Sequence, residues 1–195
     1  MKKNSEYRDM AAKAMSGNWI TGAVATLIYV VVSFLLSAIL GENLSFIGSL
    51  LLIPMGWGLT IMFLDVIRGK KPEYITLIEG YKGENAGRVW GTMLLQSVYV
   101  ILWTLLLIIP GIVKGYSYAM TSYILRDNPE MKYNAAIEKS MSMMQGHKMQ
   151  LFLLHLSFIG WAILAILTAG IGYFFLLPYM QTAVAAFYED VKIEN

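Results

Sequence analysis

Four long, largely apolar stretches constrain what this chain can become. They cover roughly residues 19–40, 46–67, 89–125 and 149–188. A helix needs about 20 apolar residues to cross the hydrocarbon core of a bilayer. The first two stretches are long enough for one span each, and the last two are long enough for two spans each. The sequence therefore predicts an all-α integral membrane protein with six transmembrane helices.

The composition agrees with a membrane location and excludes cysteine chemistry. Charged residues make up 14% of the chain, whereas soluble domains carry about 25%. Cysteine is absent, so the chain has neither a disulfide framework nor a thiolate metal site. The first apolar stretch is longer than the apolar region of a secretory signal, which is about 7–15 residues. We therefore predict that it is an uncleaved first span.

An internal repeat supports the count of six spans. Pro54, Pro110 and Pro178 each follow a short run of large apolar residues, and each would lie in the second helix of a hairpin. A proline inside a helix removes a backbone hydrogen bond, so we expect kinks at all three positions, with neighbouring helices satisfying the freed carbonyls. The kinked helices are predicted to meet near the centre of a pseudo-threefold bundle.

A polar, amphipathic stretch precedes each predicted hairpin. The three stretches are 5–16, 73–86 and 130–146, and they end in Gly17, Gly87 and Gly146. Within the second, one face of an α-helix would carry Tyr74, Leu77, Ile78 and Tyr81. We predict that each stretch forms an amphipathic interfacial helix. The repeat units would cover about 5–68, 73–126 and 130–190, in a single membrane domain over residues 1–195.

The basic residues predict the orientation of the chain. All lysines and arginines except Lys114 lie in the two terminal segments or in segments 68–88 and 126–148. These four regions share one side of a six-span protein, and the positive-inside rule places them in the cytoplasm. We expect a multi-pass protein of the cell (cytoplasmic) membrane with both termini cytoplasmic.

Motifs in the second half of the chain resemble a known family. They are Pro110–Met120, Ser140–Lys148, Leu151–Phe152, Leu156–Trp161, Thr168–Gly172 and Leu177–Tyr179. Together with Gly17-Asn18-Trp19, they resemble the bacterial integral-membrane family called domain of unknown function 975. That family is similar in architecture to the membrane domain attached to some glycerophosphodiester phosphodiesterases. The resemblance implies a multi-pass membrane fold and no agreed activity.

Lys114 marks a candidate polar cavity, because it is the one basic residue inside an apolar stretch. Intramembrane charges are costly and usually face a cavity or a partner. Tyr116, Ser117 and Tyr118 lie beside it, and His155 lies in the fifth predicted span. In this hypothesis Lys114 contacts an anion or a peptide carboxylate. Two alternatives stay open: Lys114 can snorkel to the interface, and His155 can bond a neighbouring helix instead of relaying protons.

Acidic residues end two of the predicted spans. Asp65 and Arg68 are spaced for a local ion pair on one helix face. Asp65 and Glu189 follow Pro54 and Pro178 at the same interval, so an alternative hypothesis places them in a ring at the cytoplasmic mouth.

No motif for catalysis is recognisable. The chain lacks a phosphate-binding loop, a dinucleotide fingerprint and a metalloprotease helix, and its two histidines make a poor metal site. The basic residues follow the predicted topology and do not concentrate on one nucleic-acid-binding face. We therefore expect a non-enzymatic protein without a metal or cofactor, whose environment is the lipid bilayer and which does not bind nucleic acid.

Three interpretations of its role remain. The first is a transport-like or membrane-protective module for a small amphipathic ligand or peptide. The second is a scaffold or sensor that binds lipid headgroups, or a helix of a partner membrane protein, through its amphipathic helices. A lipid-modifying enzyme is a third, less favoured interpretation.

Overall fold

The computed structural model describes residues 1–194, with side chains for all of these except Glu42, Asn43, Ser45 and Glu84. Over that range the chain is helical and contains no strand, which confirms the predicted all-α class. The helices in chain order are α1 (Asn4–Met15), α2 (Trp19–Leu51), α3 (Ile53–Ile67), a 3-10 helix (Tyr74–Tyr81), α4 (Glu84–Leu106), α5 (Ile108–Ser117), α6 (Thr121–Asp127), α7 (Asn134–Met143), α8 (Lys148–Leu156), α9 (Ile159–Leu167) and α10 (Tyr173–Glu194).

Several helices are apolar and long enough to cross a membrane. In the described part of the chain there are four such segments: Trp19–Gly41, Phe46–Ile67, Asn85–Leu106 and Lys148–Leu167. The first two are separated at Gly41, whose φ of 69° interrupts α2 and is readily adopted only by glycine. Large apolar side chains on α2, α4, α5 and α9 point outward, as expected for helices that contact lipid.

The two remaining predicted spans have a different character. The second half of stretch 89–125 is divided between the short helices α5 and α6. Helix α10 is continuous, but it carries Gln181, Glu189 and Asp190, and its middle is buried. A helix that other helices surround does not need an apolar surface on every side. The count of six spans, the three hairpins and the threefold repeat therefore stay predictions.

Helices α3, α6 and α10 meet in the larger of two hydrophobic clusters among the described residues. Its buried side chains include Ile61 of α3, Tyr123 of α6 and Tyr188 of α10. The rings of Tyr123 and Tyr188 stack with centroids 4.8 Å apart. The indole of Trp57 on α3 donates a hydrogen bond of 3.0 Å to the carbonyl of Ser122 on α6. The three helices that carry this core are thus joined by ring stacking, a hydrogen bond and apolar packing.

The three prolines lie at different places in their helices. Pro178 is inside α10, whereas Pro54 and Pro110 lie in the first turns of α3 and α5. A proline in a first turn removes no bond of its own helix. At the junction of α2 and α3, however, Pro54 has no N–H to offer the carbonyl of Leu50.

Side chains from neighbouring elements bond the carbonyls at this junction. The indole Nε1 of Trp90 on α4 donates to the carbonyl of Leu50 at 2.8 Å. The hydroxyl of Tyr81 in the 3-10 helix donates to the next carbonyl, that of Leu51, at 2.6 Å. These bonds satisfy backbone oxygens that lipid cannot satisfy.

Two of the amphipathic stretches turn their apolar faces toward the protein. Helix α1 buries Tyr7, Ala11 and Met15 at one-turn intervals, and it packs against α10 and α3. Helix α7 buries Ile137 and Met143. Both faces are therefore occupied by the bundle itself.

The second amphipathic stretch differs from its prediction. It forms a 3-10 helix instead of an α-helix, and Leu77 is the one buried member of the predicted face. The segment also lies very close to α3: a Cβ added at Gly58 would clash with the carbonyl oxygen of Thr76, and one at Gly80 would clash with that of Pro54. The two glycines let this segment lie directly on α3.

The glycine junctions follow the prediction at two of three places. Gly17 and Gly146 have φ values of 81° and 80° and join α1 to α2 and α7 to α8. The prediction for Gly87 was wrong, because α4 already begins at Glu84 and Gly87 lies inside it. Gly83, with φ of 52°, takes the junction position.

The Trp90 hydrogen bond can be tested by removing its donor. We expect Trp90→Phe to lower the stability by about 1 kcal/mol, because the carbonyl of Leu50 loses a partner while most of the aromatic surface remains. The measurement is thermal unfolding of the purified protein in detergent. The control is Trp161→Phe, whose indole has no hydrogen-bond partner among the described residues. Equal shifts of the unfolding temperature in the two variants would mean that the Trp90 hydrogen bond does not stabilise the protein.

Candidate functional site

The ends of α3, α6 and α10 meet in a cluster of ion pairs. Arg68 follows α3, and its Nη2 lies 2.8 Å from Asp127 of α6 and 2.6 Å from Glu189 of α10. Asp127 also accepts hydrogen bonds from the Tyr188 hydroxyl at 2.8 Å and the Lys192 ammonium at 2.6 Å. One carboxylate thus connects α6 to both of its core neighbours.

A second group of pairs extends this cluster toward the 3-10 helix. Arg126 of α6 lies 3.1 Å from Asp65 of α3 and also bonds Glu79. The other oxygen of Asp65 contacts Lys70 at 3.0 Å. We use the name ion-pair cluster for Asp65, Arg68, Arg126, Asp127, Glu189 and Lys192.

The predicted local pair between Asp65 and Arg68 does not form. Each of these side chains bonds α6, because the three helix ends converge. Asp65 and Glu189 both lie where these helix ends converge, each paired with a basic residue. The ring at the cytoplasmic mouth stays a hypothesis. Sequence reasoning missed Asp127, although a signal existed: Asp65, Asp127 and Glu189 lie at equal intervals along the chain.

Hydrogen bonding keeps Asp127 charged. Asp127 lies beyond the apolar stretch 89–125. Burial alone would raise the pKa of its carboxyl, but hydrogen bonds from Arg68, Lys192 and Tyr188 outweigh burial and lower this pKa to about 2. A carboxylate fixed by three donors is suited to holding helices together and poorly suited to accepting a proton near neutral pH.

The five residues of the predicted polar cavity do not share one cavity. Tyr116 and His155 come together, with ring centroids 5.8 Å apart. They line a cleft of about 440 Å³ between α4, α5 and α8, whose other walls include Val100 and Ile112. The cleft therefore combines apolar walls with the rings of a tyrosine and a histidine.

Lys114, Ser117 and Tyr118 lie outside this cleft. The Lys114 ammonium is 4.8 Å from the centre of the Trp103 ring, a cation–π contact across the α4–α5 turn. The backbone carbonyl of Ser117 accepts a hydrogen bond from the Ser140 hydroxyl at 2.9 Å. Tyr118 is buried where α5 ends. Successive residues of a helix point about 100° apart, so neighbours in the sequence need not share a cavity.

The arrangement of polar groups limits the chemistry that the described residues support. Among them, no group of three or more His, Asp or Glu side chains could hold a metal ion. The ion-pair cluster has its charges matched across helices, and the cleft offers hydrogen-bonding groups beside apolar walls. Such a cleft suits an amphipathic molecule.

The role of Asp127 predicts a specific pH dependence. Asp127→Asn should lower the stability by about 1–3 kcal/mol at pH 6, since Arg68 and Lys192 lose their shared carboxylate. A group whose pKa is lowered by folding contributes fully above its ordinary pKa of 3.8, and loses this contribution as the pH falls through about 2. The difference between wild type and Asp127→Asn should therefore be constant from pH 5 to 7 and vanish near pH 2.

Thermal unfolding in detergent at each pH measures this difference. The control is Glu73→Gln, which changes an exposed carboxylate with no side-chain partner among the described residues. A loss of the same size in the control, or a difference that persists at pH 2, would contradict a structural role for the Asp127 charge.

Comparison with known proteins relates the second half of the chain to one family. Residues 104–195 match the family described as Protein of unknown function (DUF975). No curated protein and no solved structure matches the chain. The similarity to the membrane domain of glycerophosphodiester phosphodiesterases stays a prediction. Over residues 104–195, which include Asp127, His155 and Glu189, this chain is similar to a family of unknown function.

Proposed function

We propose that this protein is a non-enzymatic membrane module that holds a small amphipathic molecule, in a transport-like or membrane-protective role. The cleft between α4, α5 and α8 supports the proposal. Its volume of about 440 Å³ lies within the range of small-molecule sites, about 300–1,000 Å³. The observation that carries the proposal is the pairing of Tyr116 and His155, whose ring centroids lie 5.8 Å apart in the wall of this otherwise largely apolar cleft.

An amphipathic molecule matches both parts of the cleft. Its apolar body would contact Val100 and Ile112, and its polar group would bond His155 and the hydroxyl of Tyr116. We assign the polar contact to this pair in place of Lys114, whose ammonium is already placed over Trp103. In this proposal Lys114 anchors the α4–α5 turn and does not bind the ligand.

A fluorescent fatty acid tests the cleft. The probe is 11-(dansylamino)undecanoic acid, whose emission rises when its fluorophore enters an apolar site. We expect saturable binding to the protein in nanodiscs. His155→Phe should weaken it about tenfold and Tyr116→Phe about fivefold, because each removes one hydrogen bond.

The matched control for the cleft is the other histidine. His147→Phe should leave the affinity for the probe unchanged, since His147 lies beside Glu194 and does not line the cleft. Equal losses in the two histidine variants, or a signal that does not saturate, would refute the proposed site.

We also infer that the chain crosses the cell membrane six times with both termini in the cytoplasm. In this arrangement α5 with α6 forms one crossing and α10 forms another. Helix α5 faces lipid, whereas α6 and the middle of α10 are covered by other helices. The ion-pair cluster supports this inference. Its members belong to the ends of α3, α6 and α10 that lead into segment 68–88, segment 126–148 and the C-terminal tail, the regions that carry nearly all basic residues.

Single cysteines can test the topology directly, because the chain has none of its own. Lys71→Cys and Lys132→Cys should resist a membrane-impermeant maleimide in intact spheroplasts and react after lysis. Ile171→Cys, in the exposed turn before α10, should react in intact spheroplasts. Labelling that places Lys71 and Lys132 on opposite faces would rule out six spans.

A further inference from the structure

A basic cleft lies between α1 and the end of α3, away from the ligand cleft. It has a volume of about 430 Å³. Its charged lining consists of Lys13, Lys70 and Lys71, and no carboxylate lines it among the described residues. Lys70 contacts Asp65, but Lys13 and Lys71 have no ion-pair partner in the described structure. The cleft therefore presents an excess of positive charge.

The helix ends around the cleft differ in their effect on its positive charge: the end of α1 offsets part of it, and the start of α2 adds to it. Lys13 lies in the last turn of α1 and complements the partial negative charge of that helix end. Lys71 lies beyond the end of α3. Asn18, which also lines the cleft, precedes α2 but does not cap it with its side chain. The first N–H groups of α2 thus add a partial positive charge at the edge of the cleft.

The remaining walls of the cleft are apolar. They are formed by Met10 and Ala14 of α1 and by Val66 and Ile67 of α3. Trp19 begins α2 next to Asn18, and tryptophan at the start of an apolar span is typical of the membrane interface. Positive charge next to an apolar wall, at the membrane interface, matches the phosphate and glycerol region of a lipid.

We propose that this basic cleft binds the phosphate group of an anionic phospholipid. The two free ammonium groups, of Lys13 and Lys71, would contact the phosphate oxygens, and the glycerol would lie against the apolar wall. The site is separate from the cleft at His155, so the proposed amphipathic ligand can be present or absent without affecting it. Its role would be to make the position of α1 depend on anionic lipid.

The experiment titrates the full-length protein in neutral detergent with dioctanoyl phosphatidic acid and follows tryptophan fluorescence. Dioctanoyl phosphatidylcholine, which carries no net charge, and inorganic phosphate are titrated in parallel. We expect saturable binding of phosphatidic acid and at least tenfold weaker binding of the other two. Lys13→Gln with Lys71→Gln should weaken phosphatidic acid binding about thirty-fold.

A matched pair of lysines controls for general surface charge. Lys82→Gln with Lys132→Gln removes two exposed charges outside the cleft and should change the affinity less than threefold. Lys13→Arg with Lys71→Arg should retain most of the binding, which shows that the charge itself is required. Binding of the fluorescent fatty acid should be the same in all these variants, so the two proposals can fail independently.

Two results would overturn the proposal. Equal losses in the two glutamine pairs would mean that phosphatidic acid responds to the net charge of the surface and not to this cleft. Inorganic phosphate that binds as tightly as phosphatidic acid would mean that the cleft is a site for free phosphate and not for lipid.

Discussion

The carboxylate of Asp127 fixes the geometry on which the rest of this structure depends. Arg68, just after α3, and Tyr188 and Lys192 of α10 donate to it, so the ends of α3, α6 and α10 can approach one another without leaving this half-buried charge unpaired. Paired charges thus hold the ends of these three helices together. Elsewhere the bundle is looser, and Trp161 of α9 and Tyr179 of α10 line an apolar groove of about 590 Å³.

Some basic residues both predict the orientation of the chain and form ion pairs between helices. Arg68 and Arg126 contribute to the charge asymmetry that predicts orientation, and they also bond carboxylates on neighbouring helices. Lys13 and Lys71 contribute to the asymmetry but bond no carboxylate in the described structure. A charge count along the sequence treats all four alike. Only the packing of the helix ends distinguishes arginines that hold the fold from lysines that face a cleft.

Local patterns predicted the parts of the fold that local forces determine. Apolar length identified the long helices, and glycine marked the junctions at Gly17 and Gly146, where φ is positive. Long-range contacts determined the rest. The close packing of the 3-10 helix on α3 depends on Gly58 and Gly80, and no periodicity in the sequence reveals it. Within the candidate site, the sequence identified Tyr116 and His155. It could not show that the pair lines a cleft, because their contact joins α5 to α8.

Hydrogen bonding inside single helices satisfies many of the polar side chains of this chain. Hydroxyls on the helices return to the carbonyl four residues earlier, as those of Thr26, Thr92 and Thr182 do. Among the described side chains, the buried polar atoms without a partner are Asn4 Oδ1, Gln96 Oε1 and His155 Nδ1. Burial without a hydrogen bond costs about 1–3 kcal/mol. Two of these three residues do not line the cleft between α4, α5 and α8, so a missing partner does not by itself mark a ligand site. His155 differs from them because its ring lies beside that of Tyr116 in the wall of this cleft, where one face of an amphipathic molecule would meet it.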